Sequence, residues 1–248
     1  MQRISETEAP MDGGRLSDRI WAAYSGNMPR SQEVEILDGP EVSDEVLADS
    51  YHQLKSVHRF LGNNAAVIRL LRPYAVRPDG VRRRVLDIGC GQGALLMDIR
   101  KQLGMDVVGF DLRVAPADVD IRIVSGNAVT DRLPECDVAV SVVMAHHLSE
   151  EELVGMIRNV ARSSQRFILL DLVRHPVPLM LFRTFVCPWL GRVNALDGQT
   201  SIRRSFTSGE MRAIVDLALA GIERPVVKLS HTIAPFWIRQ IVDISWGE

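Results

Sequence analysis

The 248-residue chain is short of cysteine: Cys90, Cys136 and Cys187 are dispersed and odd in number. No C-x-x-C pair occurs, so neither a disulfide framework nor a zinc site is suggested, and no metal is expected. The chain also lacks a charge excess, with 29 Lys and Arg against 31 Asp and Glu and a formal net charge of −2. That gives no push toward nucleic acid or an anionic membrane. Arg82-Arg83-Arg84 is an isolated basic tripeptide. A nucleic-acid surface needs basic residues spread over a face with aromatics for stacking, so the tripeptide reads as a solvated edge. Long apolar runs are missing too. The longest greasy stretch, 177–190, holds Pro178, Arg183 and Pro188 and is too short and too broken to span a membrane. The polar N-terminus carries Glu6, Glu8 and Asp12 without an apolar segment, so no signal peptide is visible and a reducing cytoplasm fits. The length suits one large domain, or a domain with a small cap.

What is present centres on Arg84-Val-Leu-Asp87-Ile-Gly89-Cys90-Gly91-Gln-Gly93. An apolar run, 85–88, reads as a buried strand. The residues after the glycines read as a helix with Leu95, Leu96, Ile99 and Leu103 on its inner face. Glycines at such a turn permit positive φ and let a ligand approach the backbone. The helix N-terminus beyond presents free N–H groups. The dinucleotide fingerprint is G-x-G-x-x-G, whereas this loop is G-x-G-x-G with Asp87 two residues ahead. A carboxylate there repels a pyrophosphate and suits a cationic ligand, such as the amino group of a methionine moiety. Asp-x-Gly-x-Gly-x-Gly at the end of a first strand resembles motif I of the class I S-adenosylmethionine (SAM) methyltransferases.

A second strand, 106–111, ends in Asp111, whose ionised oxygens can accept both hydroxyls of a ribose. Residues 114–120 leave room for at most one helical turn before a third strand at 121–124. The second crossover helix is therefore expected to be truncated. Gly126-Asn127-Ala128 follows where the family usually shows Gly-Asp-Ala. The Asn127 amide can take the adenine amine and the Ala128 N–H a ring nitrogen.

A fourth strand ends at Val143 and leads to His146-His147 and to Ser149 and Glu152, a capping box opening the next helix. This region resembles small-molecule methyltransferases, including the ubiquinone and menaquinone C-methyltransferases. His146 and His147 are candidate catalytic residues near the carboxyl ends of the strands, where open α/β sheets bind ligands. Each also has a plainer reading, as a residue that packs against or orients the loop. No Asn/Asp-Pro-Pro-aromatic follows this strand, nor a Pro-Cys. Those are the signatures of exocyclic nucleobase N-methylation and cysteine-activated pyrimidine methylation.

Residues 165–171 read as a fifth, fully buried strand. Residues 176–200 are an apolar helical insertion, expected to be buried on both sides, or to form a lid over a substrate pocket or a dimer surface. Asp197-Gly198 is read as a turn. Arg203 and Arg204 are candidates for a substrate carboxylate or phenolate, against an ion-pair reading. Thr207 and Glu210 form another capping box. Two closing strands, 226–230 and 236–244, are expected as an antiparallel hairpin.

The expected fold is α/β: a seven-stranded, mostly parallel, Rossmann-like methyltransferase sheet. Residues 1–80 would be an N-terminal tail and helical cap, with helices at 16–24, 43–61 and 65–71. Residues 81–248 would be the SAM-binding domain, with the lid insertion at 176–200. The resemblance implies SAM as cofactor and S-adenosylhomocysteine as product. It implies a cofactor set of Asp87, Gly89, Cys90, Gly91, Gly93, Asp111, Leu112, Gly126, Asn127, Ala128 and Val143. It also implies in-line methyl transfer to an oxygen or carbon of a small aromatic or lipidic acceptor. No nucleic-acid partner and no membrane span are expected, and a homodimer is open. Two rivals remain at this point: a SAM-fold binding protein without turnover, and a methyltransferase acting on RNA or protein.

Overall fold

The structure is a computed structural model and describes residues 28–39, 42, 49–50, 53, 56–57, 60–113 and 120–247. The expectations for residues 1–27, for most of the 43–61 helix and for the 114–119 link lie outside the described residues. Helix α1 spans Asn63–Leu71. Then follow β1 (Arg84–Ile88), α2 (Ala94–Leu103), β2 (Asp106–Asp111), β3 (Ile123–Ser125) and β4 (Val138–Val142). The second half holds α3 (Glu150–Ser163), β5 (Arg166–Asp171), α4 (Pro176–Leu181), α5 (Arg192–Arg204), α6 (Ser208–Leu219), β6 (Val226–Ile233) and β7 (Gln240–Trp246).

The strands form one sheet in the order β3-β2-β1-β4-β5-β7-β6. The first five are parallel; β7 runs antiparallel to β5 and to β6. Both faces are covered. Because side chains alternate along a strand, neighbours serve opposite cores. Leu86 and Leu169 face α3 and α6, and Val85 and Ile168 face α1 and α2. Burial of the central strands on both faces explains their unbroken apolar runs. The inner face expected for the helix after the glycines is the observed one, with Leu95, Leu96, Ile99 and Leu103 all buried. Both capping boxes form, Ser149 with Glu152 and Thr207 with Glu210.

Four local expectations change. The helix expected at 65–71 begins two residues earlier: Gly62, at φ +69°, precedes α1, and Asn63 and Asn64 form its first turn. The residues Phe236-Trp237 do not extend β7. Both take positive φ after Pro235, in a short turn that ends before β7 begins at Gln240. The 176–200 insertion is helical but not buried all round. Trp189 is 85 % exposed, and Phe185 and Met180 are exposed as well.

Asp197-Gly198 lies inside α5 rather than in a turn. Its side-chain environment gives the reason. The Asp197 carboxylate accepts the N–H groups of Ile36 and Leu37, at 2.7 and 3.0 Å, and so ties the N-terminal segment to α5. At Gly198 the Phe182 ring packs against the helix, and an added Cβ would lie 2.3 Å from Phe182 Cζ. Gly198→Ala is therefore expected to lower stability by about 1–3 kcal/mol through overpacking, despite the better helix propensity of alanine. The midpoint of urea unfolding measures it, and an unchanged or raised midpoint would contradict this packing.

Candidate active site

The carboxyl edge of the parallel strands carries two adjoining clusters. The first is the turn between β1 and α2. Gly89, Gly91 and Gly93 take φ of +76°, +51° and +75°, a region that costs a side-chain-bearing residue about 1–2 kcal/mol. Gly89 has a second constraint: an added Cβ would lie 2.5 Å from Met144 Cγ, so the loop after β4 packs directly on the glycine turn. At Gly91 the space a Cβ would take is open.

Asp111, at the tip of β2, braces this loop. Its Oδ2 accepts the Gly91 N–H at 2.8 Å and its Oδ1 accepts the Arg113 N–H at 2.9 Å. Asp87 is only 3 % exposed, and among the described residues no hydrogen bond to its carboxylate is seen. Burial, helped by the nearby Asp111 charge, raises its pKa to about 7. Burial also pushes the Cys90 thiol well above its ordinary range, so Cys90 is inert as a nucleophile.

Around the rest of the turn, Leu112 is exposed beyond β2. Gly126 packs against Phe110, whose ring leaves no room for a Cβ. Asn127 Oδ1 accepts the Val129 N–H at 2.9 Å, the geometry of an Asx turn. The Ala128 carbonyl accepts from the Asn159 side chain. β4 stops at Val142, one residue short of the expected end, and Val143 just after it takes a positive φ of 53°. A β-branched residue held there is strained, and such strain gathers at functional sites.

The second cluster is built around the histidines after β4. His146 is 1 % exposed. Its Nδ1 pairs with Asp171 Oδ1 at 2.8 Å, and its backbone N–H donates to Asp171 Oδ2 at 2.7 Å. Its Nε2 lies 3.5 Å from the Glu35 carboxylate. Burial works against the imidazolium, but Asp171 and Glu35 outweigh it and raise the His146 pKa to about 9. His147 keeps 30 % exposure and pairs through Nδ1 with Asp38 at 3.0 Å. For Glu35, burial opposes the charge, yet the two histidines and Ser201 lower its pKa overall. The His147 hydrogen bond holds Asp38 below the usual carboxylate range.

The segment that brings Glu35 and Asp38 here is anchored by Arg30. Its guanidinium donates to the carbonyls of Arg204, His146 and Leu148 and lies over the Phe206 ring, 3.9 Å from the centroid. Arg113 donates to the Asp38 carbonyl, which links this segment to the end of β2 as well. Arg204 faces Asp38 at 3.5 Å, while Arg203 lies 3.9 Å from Glu33. Both arginines therefore have acidic partners within the chain.

Sequence reading missed Glu35, Asp38 and Asp171 as members of this site. Asp171 carried a signal: it ends an apolar strand in an acid, as Asp111 does. Glu35 and Asp38 lie in a segment without periodicity, and nothing local marks them.

Seven strands in this order, with the glycine turn after β1 and an acid at the tip of β2, form the Rossmann-like fold seen in SAM-dependent methyltransferases of known structure. Residues 85–166 match the family described as methyltransferase domain. The chain is 28 % identical over 189 residues to the indolepyruvate C-methyltransferase of Streptomyces griseus; the alignment covers 65 % of this chain and 55 % of that protein. Among solved structures, the plantazolicin methyltransferase BpumL, in complex with a desmethyl-plantazolicin analogue and S-adenosylhomocysteine, superposes with a TM-score of 0.61. It is 12 % identical, over 83 % of this chain and 91 % of that one. Human N-acetylserotonin methyltransferase in complex with SAM gives 0.54 at 15 % identity, over 94 % and 68 %. No helix among the described residues is long and apolar enough to cross a membrane.

Proposed function

We propose that this chain binds SAM at the glycine turn and transfers its methyl group to a small oxygen-bearing metabolite, with carbon as the favoured acceptor atom. One observation carries the cofactor assignment: a buried Asp87 carboxylate with no hydrogen bond among the described residues, beside three left-handed glycines and open space at Gly91. An ammonium group supplies the donors that Asp87 lacks. Asp111 is placed to accept from a ribose while bracing the loop, and Gly126, Asn127 and Ala128 border the adenine side. Carbon is favoured because the relative from Streptomyces griseus is by name a C-methyltransferase acting on indolepyruvate.

SAM supplies an already activated methyl carbon; the chain's own residues align the acceptor, exclude water and receive one proton. Of the two histidines, only His147 retains solvent access, so direct contact with an acceptor falls to it rather than to His146. The segment 28–39 acts as part of a cap and 176–200 as a lid whose exposed Phe185 and Trp189 suit an apolar ligand or a second copy. The test is transfer of labelled methyl from SAM to a panel of aromatic oxo-acids, phenols and quinols. Label on a small acceptor supports the reading. Label on RNA or protein alone would overturn the acceptor class, and binding without any turnover would overturn the enzymatic role.

The Asp87 pKa makes a further prediction. Pairing with an ammonium group requires the ionised carboxylate, which is lost as pH falls through about 7. Affinity for S-adenosylhomocysteine should therefore be about tenfold higher at pH 8 than at pH 6. Calorimetric titration at the two values measures it, and Asp87→Asn should flatten the dependence. In the unliganded chain the sign is opposite. A raised carboxylate pKa means that stability falls as pH rises between 3.8 and about 7, because the buried charge is then unpaired.

A further inference from the structure

Three ligand-type side chains converge beside the glycine turn. One atom each from Glu35, His146 and His147 lies within 4.8 Å of the others. The Glu35 carboxylate is 3.5 Å from His146 Nε2 and 3.9 Å from His147 Nε2. Both rings thus offer the same nitrogen to one carboxylate, and each turns its Nδ1 to another: Asp171 at 2.8 Å and Asp38 at 3.0 Å. Metal-ligating histidines show this arrangement, with the far ring nitrogen fixed on a carboxylate that sets tautomer and orientation. Tetrahedral bonds of about 2.0–2.2 Å place ligand atoms about 3.3–3.6 Å apart. The Glu35–His146 separation of 3.5 Å already matches this, while the 3.9 Å to His147 and the overall spread of up to 4.8 Å require the side chains to draw in around an ion.

The surroundings also fit a cation. The side chains bonded to the two imidazoles are carboxylates, those of Asp171, Asp38 and Glu35; among the described residues the cations nearest them are Arg204 and Arg113, both at Asp38, and Arg30, on the His146 carbonyl. His147 is partly exposed and gives an ion a way in. A hydrogen-bonded structural cluster needs only one nitrogen of each ring held. Here both nitrogens of both rings face carboxylates, and Glu35 Oε1, which faces both Nε2 atoms, also accepts the Ser201 hydroxyl.

We propose that Glu35, His146 and His147 form a binding site for one divalent transition-metal ion of the zinc type, with Asp38 and Asp171 orienting the two histidines. Two imidazole nitrogens and one carboxylate oxygen suit zinc, cobalt or nickel, and three protein ligands leave a coordination position for water or an oxygen of an acceptor. Binding displaces the proton from the His146 imidazole. With the ion in place, His147 acts as a ligand rather than as a free base. Cysteine spacing does not report on this cluster, since the proposed donors are histidines after β4 and an acid far upstream. The site stands apart from the methyl-transfer reading, since it needs neither SAM nor turnover.

The test uses the full chain, dialysed against a chelator and then titrated with Zn²⁺ alone. Expected are one ion per chain and an X-ray absorption spectrum showing two imidazole nitrogens with oxygen in the remaining positions. His147→Ala and Glu35→Gln should each weaken binding at least tenfold, and Asp38→Asn by roughly tenfold to a hundredfold. His231→Ala, remote from the cluster, should leave it unchanged. Absence of stoichiometric binding by the unmutated chain, a thiolate shell, or equal affinity in His147→Ala and Glu35→Gln would overturn the proposal. The wild-type stoichiometry and spectrum do not depend on whether any variant folds. S-adenosylhomocysteine titrations run in parallel keep this outcome separate from that of the cofactor site.

Discussion

Replacing Asp171 with alanine is expected to lower the free energy of unfolding by about 3–5 kcal/mol, the cost of breaking a buried ionic pair from one side. Asp171 is 1 % exposed. It accepts the backbone N–H of His146, pairs with the His146 ring, and accepts the Leu172 N–H at 2.8 Å. Alanine leaves a buried imidazolium with one remaining carboxylate partner, Glu35, and two backbone donors without partners. The damage should reach beyond β5, because His146 and Leu148 hold the Arg30 guanidinium through their carbonyls. Urea unfolding followed by circular dichroism gives the number. A loss under about 1 kcal/mol would mean that the site is not braced through Asp171. Asp171→Asn keeps the shape and part of the acceptor set, so its cost should be intermediate.

The second large effect is on the cofactor. Asp111→Ala should weaken S-adenosylhomocysteine binding by about 1–3 kcal/mol, roughly fivefold to 150-fold. Two contributions combine. The carboxylate proposed to accept from the ribose is lost, and so is the acceptor for the Gly91 N–H, which braces the glycine turn. Calorimetric titration of the variant beside the wild type reads the effect directly. Equal affinity would remove Asp111 from the site and leave it as a brace for the loop.

Asp111 shows where sequence reading succeeds, and Asp171 where it falls short. The strand, the Asp87-to-Gly93 turn with its positive-φ glycines and the acid at the tip of β2 are legible because they follow from local order. The capping boxes of α3 and α6 are legible for the same reason: both partners lie three residues apart. The doubly covered sheet is legible in its apolar runs. By contrast, Asp197-Gly198 resembles a turn when read alone. It is helical because Asp197 serves the N–H groups of Ile36 and Leu37 and Gly198 makes room for the Phe182 ring. Neither fact is local. Phe236-Trp237 resembles a strand by composition, yet both residues take positive φ after Pro235. Glu35 and Asp38 were least legible. They reach the histidines only because Arg30 and Asp197 anchor an otherwise patternless segment across α5 and the end of β4. Long-range polar contacts between an irregular segment and a folded edge leave no periodic trace.

The central claim is that the turn after β1 is a SAM site completed by a carboxylate that lacks a partner. Equilibrium binding of SAM to the full, unmutated chain at pH 8 tests it most directly. Saturable binding of one molecule per chain, displaced by S-adenosylhomocysteine and weakened by Asp87→Asn, is the predicted result. No saturable binding, or binding that Asp87→Asn leaves intact, would contradict it.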